Sequence, residues 1–460
     1  MNDTIAAIST AYGRGGIAVI RISGSDAIRV ADGMFRAASG KLPGEFRHAQ
    51  CVHGAILKRG EQIDDGMCTV FRAPHSYTGE DVVEISCHGG IILSEKVLEA
   101  AFECGAVQAG AGEFTKRAFI NGKLSLSQAE AVGMLIDAES EEQLSIAASH
   151  ERGVFKRKAD ELYESLKTVV TGVYANVDFP DEDLAELSDA EVLTSLHTII
   201  SELCELQSSY RVGRAVCEGI RTVIVGKPNT GKSSLLNRLV GRERAIVTDV
   251  AGTTRDTIEE NVMCGRVMLR LCDTAGIHAT DDAVEKIGVE RSLAMLGEAE
   301  LVLAVFDRSR EFDAEDASLL EALEGVNGVK IALLNKNDLP DRFDRERLKE
   351  GNFAHVVEIC ADGQSADGID ALTRLIESLY VEGEIDYNSR AVITNARQNA
   401  SVTRTLEYVR RAEAELAGGI SADTAGFDLE AALSELSELD GRRVTEEIVD
   451  GIFHRFCVGK

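Results

Sequence analysis

The chain has 460 residues, enough for about three domains, and 44% of them are hydrophobic, as expected of a protein with proper cores. Its formal charge is −28, so most of its surface repels phosphate backbones, and any RNA contact must use local basic patches. No apolar run approaches the ~18 residues that cross a bilayer, the start Met1-Asn2-Asp3-Thr4-Ile5 lacks the basic stretch of a secretory signal, and ten scattered cysteines without a Cys-x-x-Cys pair argue against zinc or a disulfide framework and for a reducing compartment.

Residues 1–120 mix short strand-like and helical runs. Ile17-Ala18-Val19-Ile20-Arg21-Ile22 and Asp81-Val82-Val83-Glu84-Ile85 read as strands flanked by glycines, which predicts a small α+β domain. Over residues 121–215 the period becomes helical, with Leu124, Ala129, Ala131, Leu135 and Ile136 on one stripe and Leu162, Leu166, Val169 and Val170 on another. Asp178-Phe179-Pro180-Asp181-Glu182-Asp183 interrupts it as an acidic turn with a proline stop. Strands and helices alternate over residues 216–382, the pattern of a doubly wound parallel sheet. Residues 383–460 are helical again, and Leu429, Leu433, Leu436 and Leu439 read as a core-packing stripe. The expected architecture is multidomain: an N-terminal α+β domain, then a helical domain whose two halves flank an inserted α/β domain. Most of the cysteines read as small buried apolar residues, Cys457 excepted.

The α/β segment carries a phosphate site. Thr222-Val223-Ile224-Val225 runs straight into Gly226-Lys227-Pro228-Asn229-Thr230-Gly231-Lys232-Ser233, which opens an apolar helix with Leu235, Leu236 and Leu239. This is a G-x-x-x-x-G-K-S P-loop in strand–loop–helix context. Its glycines let N–H groups wrap phosphates, and the helix N-terminus adds positive charge. Lys232 reaches the β- and γ-phosphates and the Ser233 hydroxyl coordinates Mg²⁺. Three further elements follow in Ras-like order. Leu269-Arg270-Leu271-Cys272 ends in Asp273-Thr274-Ala275-Gly276, where Asp273 holds Mg²⁺ through water and the Gly276 N–H meets the γ-phosphate. Ile331-Ala332-Leu333-Leu334 ends in Asn335-Lys336-Asn337-Asp338. The Asp338 carboxylate accepts from guanine N1–H and its 2-amino group; adenine has neither donor, so GTP is the expected nucleotide. Thr253-Thr254-Arg255-Asp256 lies between the P-loop and Asp273, offering a threonine to Mg²⁺. After Val356-Val357-Glu358-Ile359 a second, shorter base-recognition loop reads Cys360-Ala361-Asp362 instead of Ser-Ala-Lys. Ala361 is expected to offer its N–H to guanine O6.

Ras-type enzymes orient the attacking water with a glutamine just after the third motif. Here the segment is Gly276-Ile277-His278. Isoleucine cannot position water, so help must come from elsewhere. Glu285, in the first turn of the following helix, is one candidate, although a glutamate there also suits the helix dipole. Asn229 is another, holding a monovalent cation that acts as an arginine finger does.

These residues resemble the MnmE (TrmE) family of tRNA-modification GTPases. The resemblance runs from Gly226 through Gly252-Thr253-Thr254-Arg255-Asp256 to Asp273-Thr274-Ala275-Gly276, and covers the whole chain. Asn2-Asp3-Thr4-Ile5-Ala6-Ala7, Gly13-Arg14-Gly15-Gly16-Ile17, Ser76-Tyr77-Thr78-Gly79-Glu80-Asp81, His88-Gly89-Gly90, Gly112-Glu113-Phe114-Thr115 and the terminal Phe456-Cys457-Val458-Gly459-Lys460 all fit it. The resemblance implies a folate-binding, dimerising N-terminal domain, a helical domain and an inserted Ras-like P-loop G domain. It implies GTP contacts from Asn229, Thr230, Gly231, Lys232, Ser233, Ser234, Thr248, Asp249, Val250, Ala251, Gly252, Thr253, Thr254, Asp273, Thr274, Ala275, Gly276, Asn335, Lys336, Asp338 and Ala361. K⁺ falls to Asn229, Thr248, Val250 and Thr253, and Mg²⁺ to Ser233 and Thr254. The catalytic glutamate maps onto Glu285. Folate, as 5-formyltetrahydrofolate or a related tetrahydrofolate, maps onto Arg21, Glu84, Lys123 and Lys460, each of which otherwise reads as a surface charge.

The resemblance further implies a cytoplasmic homodimer that joins a flavin-containing MnmG (GidA) partner in a heterotetramer. Together they add an aminomethyl or carboxymethylaminomethyl group to C5 of the wobble uridine in certain tRNAs. Cys457 is a candidate nucleophile or redox group, or simply a terminal cysteine packed near the folate pocket. A ribosome-assembly-type GTPase with unrelated flanking domains is the competing expectation. An esterase reading of His88-Gly89-Gly90 fails because the chain has no Gly-x-Ser-x-Gly elbow.

Overall fold

The computed structural model describes residues 3–178, 189–242, 260–271, 296–362, 367–381, 390–419, 422–443, 445–454 and 456–459. The chain forms two compact units, one of residues 1–136, 150–192 and 411–460, the other of residues 137–149 and 193–410.

The first unit is built on a seven-stranded sheet. Its strands are β1 (Ile5–Ile8), β2 (Ile17–Ser23), β3 (Phe35–Ala37), β4 (Gln50–Lys58), β5 (Glu61–Phe71), β6 (Val82–His88) and β7 (Val107–Gln108), in the order β3-β4-β5-β6-β2-β1-β7. All neighbours are antiparallel except β1 and β7. Alternation in β2 explains its placement: Ala18, Ile20 and Ile22 are buried while Arg21 lies on the opposite face. The buried face packs with Val30 and Met34 of the helix Ala27–Met34 and Val97 and Ala101 of the helix Ile91–Glu103. Each of the larger side chains among these, such as Ile20, Val30, Met34 and Val97, contributes roughly 1.5–3 kcal/mol. The register sets Arg21 directly opposite Glu84.

In the same unit the helix Val154–Asp178 packs against the helix Ala422–Leu439. Leu162, Leu166 and Val169 are buried on one, and Leu429, Leu436 and Leu439 on the other, so the leucine stripe is core as expected; Leu433 is only half-buried. The helix from 154 ends at Asp178, and the rest of the expected acidic turn lies outside the described residues.

The second unit holds a six-stranded sheet of β8 (Ile220–Gly226), β9 (Glu260–Cys264), β10 (Val267–Leu271), β11 (Leu301–Asp307), β12 (Val329–Asn335) and β13 (His355–Glu358), in the order β13-β12-β11-β8-β10-β9. Five strands are parallel, as expected. The edge strand β9 runs antiparallel to β10, forming a hairpin that the alternation pattern did not reveal. Every residue of β11 is buried, as befits a parallel strand covered on both faces. The order reverses at β8, which places the loop after it at the switch point where such sheets bind ligands.

The cysteine expectation holds only in part. Among the described residues Cys68, Cys87, Cys264 and Cys360 are buried, but Cys51 and Cys457 are exposed and three others are half-buried. Burial pushes the Cys68 thiol up to about 12, so it is an inert core residue.

Candidate functional site

The P-loop links β8 to the helix Lys232–Arg242. Two backbone conformations shape it. Asn229 is left-handed with φ of 63°, a cost of about 1–3 kcal/mol for a residue with a side chain. Gly231 has φ of 98°, and a Cβ there would stand 2.1 Å from Asn335 Nδ2. Only glycine permits that approach. Lys232 Nζ donates to the carbonyls of Gly226 at 2.9 Å and Lys227 at 2.8 Å, which holds its ammonium over the loop. Ser233 and Ser234 follow in the first turn of the helix, where N–H groups and the helix dipole favour an anion. Thr230 is buried, and its Oγ1 donates to the Lys227 carbonyl at 2.9 Å.

Lys227 anchors the loop on its other side. Its Nζ donates to Asp313 and to Asp316, both at 2.7 Å. Burial lowers the Lys227 pKa, but the two carboxylates outweigh that and leave it above the usual lysine value. Asp313 caps the helix Ala314–Leu323, accepting from Glu315 N and Asp316 N. This anchor was not foreseen from the sequence; the Asp-x-x-Asp capping box Asp313–Asp316 after β11 was its available signal.

The base loop follows β12 and is tied to the P-loop by two adjacent rungs. Asn335 Nδ2 donates to the Thr230 carbonyl at 2.7 Å, and Lys336 Nζ donates to the Asn229 carbonyl at 2.9 Å. The Ala361 N–H, expected to face guanine O6, donates to Asn335 Oδ1 at 2.9 Å and so ties the Cys360–Asp362 loop to the base loop. Asp338 is exposed at the loop's end, and Cys360 Sγ donates to its Oδ1 at 3.2 Å. The thiol therefore orients the carboxylate expected to read guanine. Of the remaining nucleotide and cation residues, Thr248, Asp249, Val250, Ala251, Gly252, Thr253, Thr254, Asp273, Thr274, Ala275, Gly276 and Glu285 lie outside the described residues. Asn229 is the described member of the K⁺ set and Ser233 that of the Mg²⁺ set.

A second constellation occupies the first unit. Arg21 pairs with Glu84 at 2.9 Å, and its guanidinium lies 5.3 Å from the Tyr77 ring centre and 5.6 Å from that of Phe114. Tyr77 is fixed by its hydroxyl at 2.9 Å from Thr115 Oγ1. Lys123 Nζ donates to the Pro74 carbonyl at 3.1 Å, and the Lys123 stem lies against Gly79 of the loop that carries Tyr77. Phe114 is fully buried, so a carboxylate, cations and the exposed Tyr77 ring are what this surface offers to a flat heterocycle carrying an acidic tail. The C-terminal tail reaches this unit's sheet: Gly112 N donates to the Cys457 carbonyl at 3.3 Å, and Val458 bridges Ala111. Cys457 is exposed; Lys460 lies outside the described residues.

His88-Gly89-Gly90 offers no oxyanion hole. His88 N donates to Asp64 Oδ2 at 2.9 Å, Gly89 N to the Gly16 carbonyl at 3.3 Å and Gly90 N to the His88 carbonyl at 3.0 Å. No helix among the described residues is long and apolar enough to cross a membrane.

Residues 4–123 match the family model described as the GTP-binding protein TrmE N-terminus, and residues 126–457 match that of the MnmE helical domain. The chain is similar to the tRNA modification GTPase MnmE of Symbiobacterium thermophilum, 42% identical over 460 residues that cover 100% of this chain and 99% of the relative. It is likewise similar to the tRNA modification GTPase MnmE of Clostridioides difficile, 40% identical over 461 residues covering 100% of both chains.

Proposed function

The chain belongs to the MnmE (TrmE) family of tRNA modification GTPases, and on that premise we propose that it is a K⁺-activated GTP hydrolase of the cytoplasm that works as a homodimer with a flavin-containing MnmG-type partner. Together they add an aminomethyl or carboxymethylaminomethyl group to C5 of the wobble uridine in certain tRNAs, drawing its carbon from a tetrahydrofolate. The observation that carries the nucleotide half is the pair of rungs from Asn335 and Lys336 to Thr230 and Asn229, which joins base loop and P-loop into one cradle.

In that cradle the Lys232 ammonium and the N–H groups of the following turn meet the phosphates. Asp338 accepts from the guanine edge, oriented by Cys360. With Ile277 in place of a glutamine, Glu285 orients the attacking water. Asn229, Thr248, Val250 and Thr253 would hold K⁺, and Ser233 and Thr254 would hold Mg²⁺; when bound, these ions would supply positive charge toward the phosphoryl oxygens. Arg21, Glu84, Lys123 and Lys460 hold the folate, and Cys457 acts on the pyrimidine ring or in electron transfer. The ribosome-assembly alternative requires unrelated flanks, whereas residues 4–123 and 126–457 both match this family.

Mass spectrometry of tRNA from cells lacking the protein tests the reading. Wobble uridines should lose the C5 group; a full complement of that group in the deletion strain overturns it.

A further inference from the structure

The last residue of β11 is Asp307, only 3% exposed and directly opposite Asn335 in the β11–β12 register. Its carboxylate is occupied on both oxygens. Oδ1 accepts from Ser309 N at 2.9 Å and Ser309 Oγ at 2.6 Å, and Oδ2 accepts from Lys336 Nζ at 2.6 Å. The same Nζ makes the 2.9 Å bond to the Asn229 carbonyl. Lys336 and Asn229 share a left-handed backbone, each with φ of 63°. Residues with a side chain stay in that region only where the surroundings hold them. Asp307, Lys336 and Asn229 thus form a line from the end of a buried strand, through the base loop, to the tightest bend of the P-loop.

We propose that Asp307 is a positioning residue for guanine-nucleotide binding: by fixing the Lys336 ammonium it sets the spacing of the base loop and the P-loop. The proposal deepens the nucleotide reading above and rests on its placement of guanine at Asp338 and phosphates at Lys232. Asp307 touches neither in this arrangement; it acts through Lys336. Its ionisation suits the role. Burial alone raises its pKa, but the hydrogen bonds from Lys336 and Ser309 more than offset this and hold it below the usual carboxylate range. The anion therefore persists at neutral pH. A buried ion pair that merely stabilised the sheet would lower the unfolding temperature and leave nucleotide release from the folded protein unchanged. A positioning pair changes release, and only while Lys336 is present.

The test measures dissociation of a fluorescent GDP analogue from the full-length protein, well below the unfolding midpoint. Asp307→Asn should speed release about tenfold, the equivalent of one lost charge-assisted hydrogen bond. Lys336→Met should do the same, and the double variant should be no faster than either. Unchanged release in Asp307→Asn, or effects that multiply in the double variant, overturns the proposal. Should Asp307→Asn not fold, Ser309→Ala takes its place, keeping the carboxylate and removing one donor. It should speed release roughly two- to threefold with Lys336 present and not at all on the Lys336→Met background; equal acceleration on both overturns it. Asp338→Asn separates this proposal from the reading beneath it. An amide there donates to a 2-oxo group where the carboxylate accepted from a 2-amino group, so preference should move from guanine toward xanthine nucleotides. Without that move the base-loop assignment falls and the positioning proposal falls with it; with it, the Asp307 variants alone decide.

Discussion

Ser9 Oγ donates to the carbonyl of Gly459 at 2.9 Å, across 450 positions of chain. The last residues of the protein are thereby fastened to the end of the first strand of its N-terminal sheet. Gly459 has φ of 100°, and a Cβ on it would stand 2.1 Å from the Ile8 carbonyl oxygen. Gly459→Ala should displace the tail, losing about 1 kcal/mol from the Ser9 bond and adding about 1–3 kcal/mol of backbone strain. Titration with 5-formyltetrahydrofolate should show weaker binding by about tenfold or more; unchanged affinity would remove the tail from the folate site.

Arg117 is almost fully buried, with a side chain 3% exposed, and it pairs with Glu80 at 3.1 Å and Glu113 at 2.8 Å. Truncating it strands two carboxylates. Arg117→Ala should destabilise the N-terminal domain by about 3 kcal/mol in chemical denaturation. The exposed Arg29–Asp26 pair is the control, and Arg29→Ala should leave the denaturation midpoint essentially unchanged.

The bond from Cys360 to Asp338 predicts a graded series. Cys360→Ser keeps a donor and should bind GTP as tightly as the parent or slightly better. Cys360→Ala leaves the carboxylate without this donor and should weaken GTP binding by roughly fivefold, about 1 kcal/mol. Equal affinities for both variants would show that the thiol does not orient Asp338.

His88 Nδ1 lies 2.8 Å from Asp64 Oδ1. The hydrogen bond to Asp64, then its charge, raises the His88 pKa above the ordinary imidazole value. A raised folded-state pKa stabilises fully below about pH 6.5 and is lost as pH climbs through the folded value. In an NMR titration Asp64→Asn should lower the His88 pKa toward the ordinary imidazole value. The stability gap between parent and variant should then narrow as pH rises beyond neutrality; a His88 pKa unmoved by the substitution would contradict the pairing.

Hydrolysis should be faster in K⁺ than in Na⁺ at equal ionic strength, and equal rates would remove the cation role proposed for Asn229. Glu285→Ala should bind GTP normally yet turn over about 100-fold slower or worse. Near-normal turnover would place the water-positioning group elsewhere.

The P-loop, the Asn335–Asp338 loop and the strands leading into them were legible because each is a contiguous run. A β-strand followed by a glycine-rich bend and an apolar helix is dictated by local backbone preference and hydrophobic period, and both are written in neighbouring residues. Arg21, read from the sequence as a surface charge, lies on the face of β2 opposite Ala18, Ile20 and Ile22. What those runs meet was not legible. Asp307 lies 29 positions from Lys336, and Ser9 lies 450 from Gly459; nothing in either neighbourhood names its partner. The same holds for Lys227 with Asp316, and for the Ala361 N–H with Asn335 Oδ1. Sequence by itself determined which chemistry the chain carries, because a motif is a local conformation with its side chains attached. Tertiary structure decided which of those side chains are held and by what, because hydrogen bonds and ion pairs depend on distance in space, set here by strand order and register.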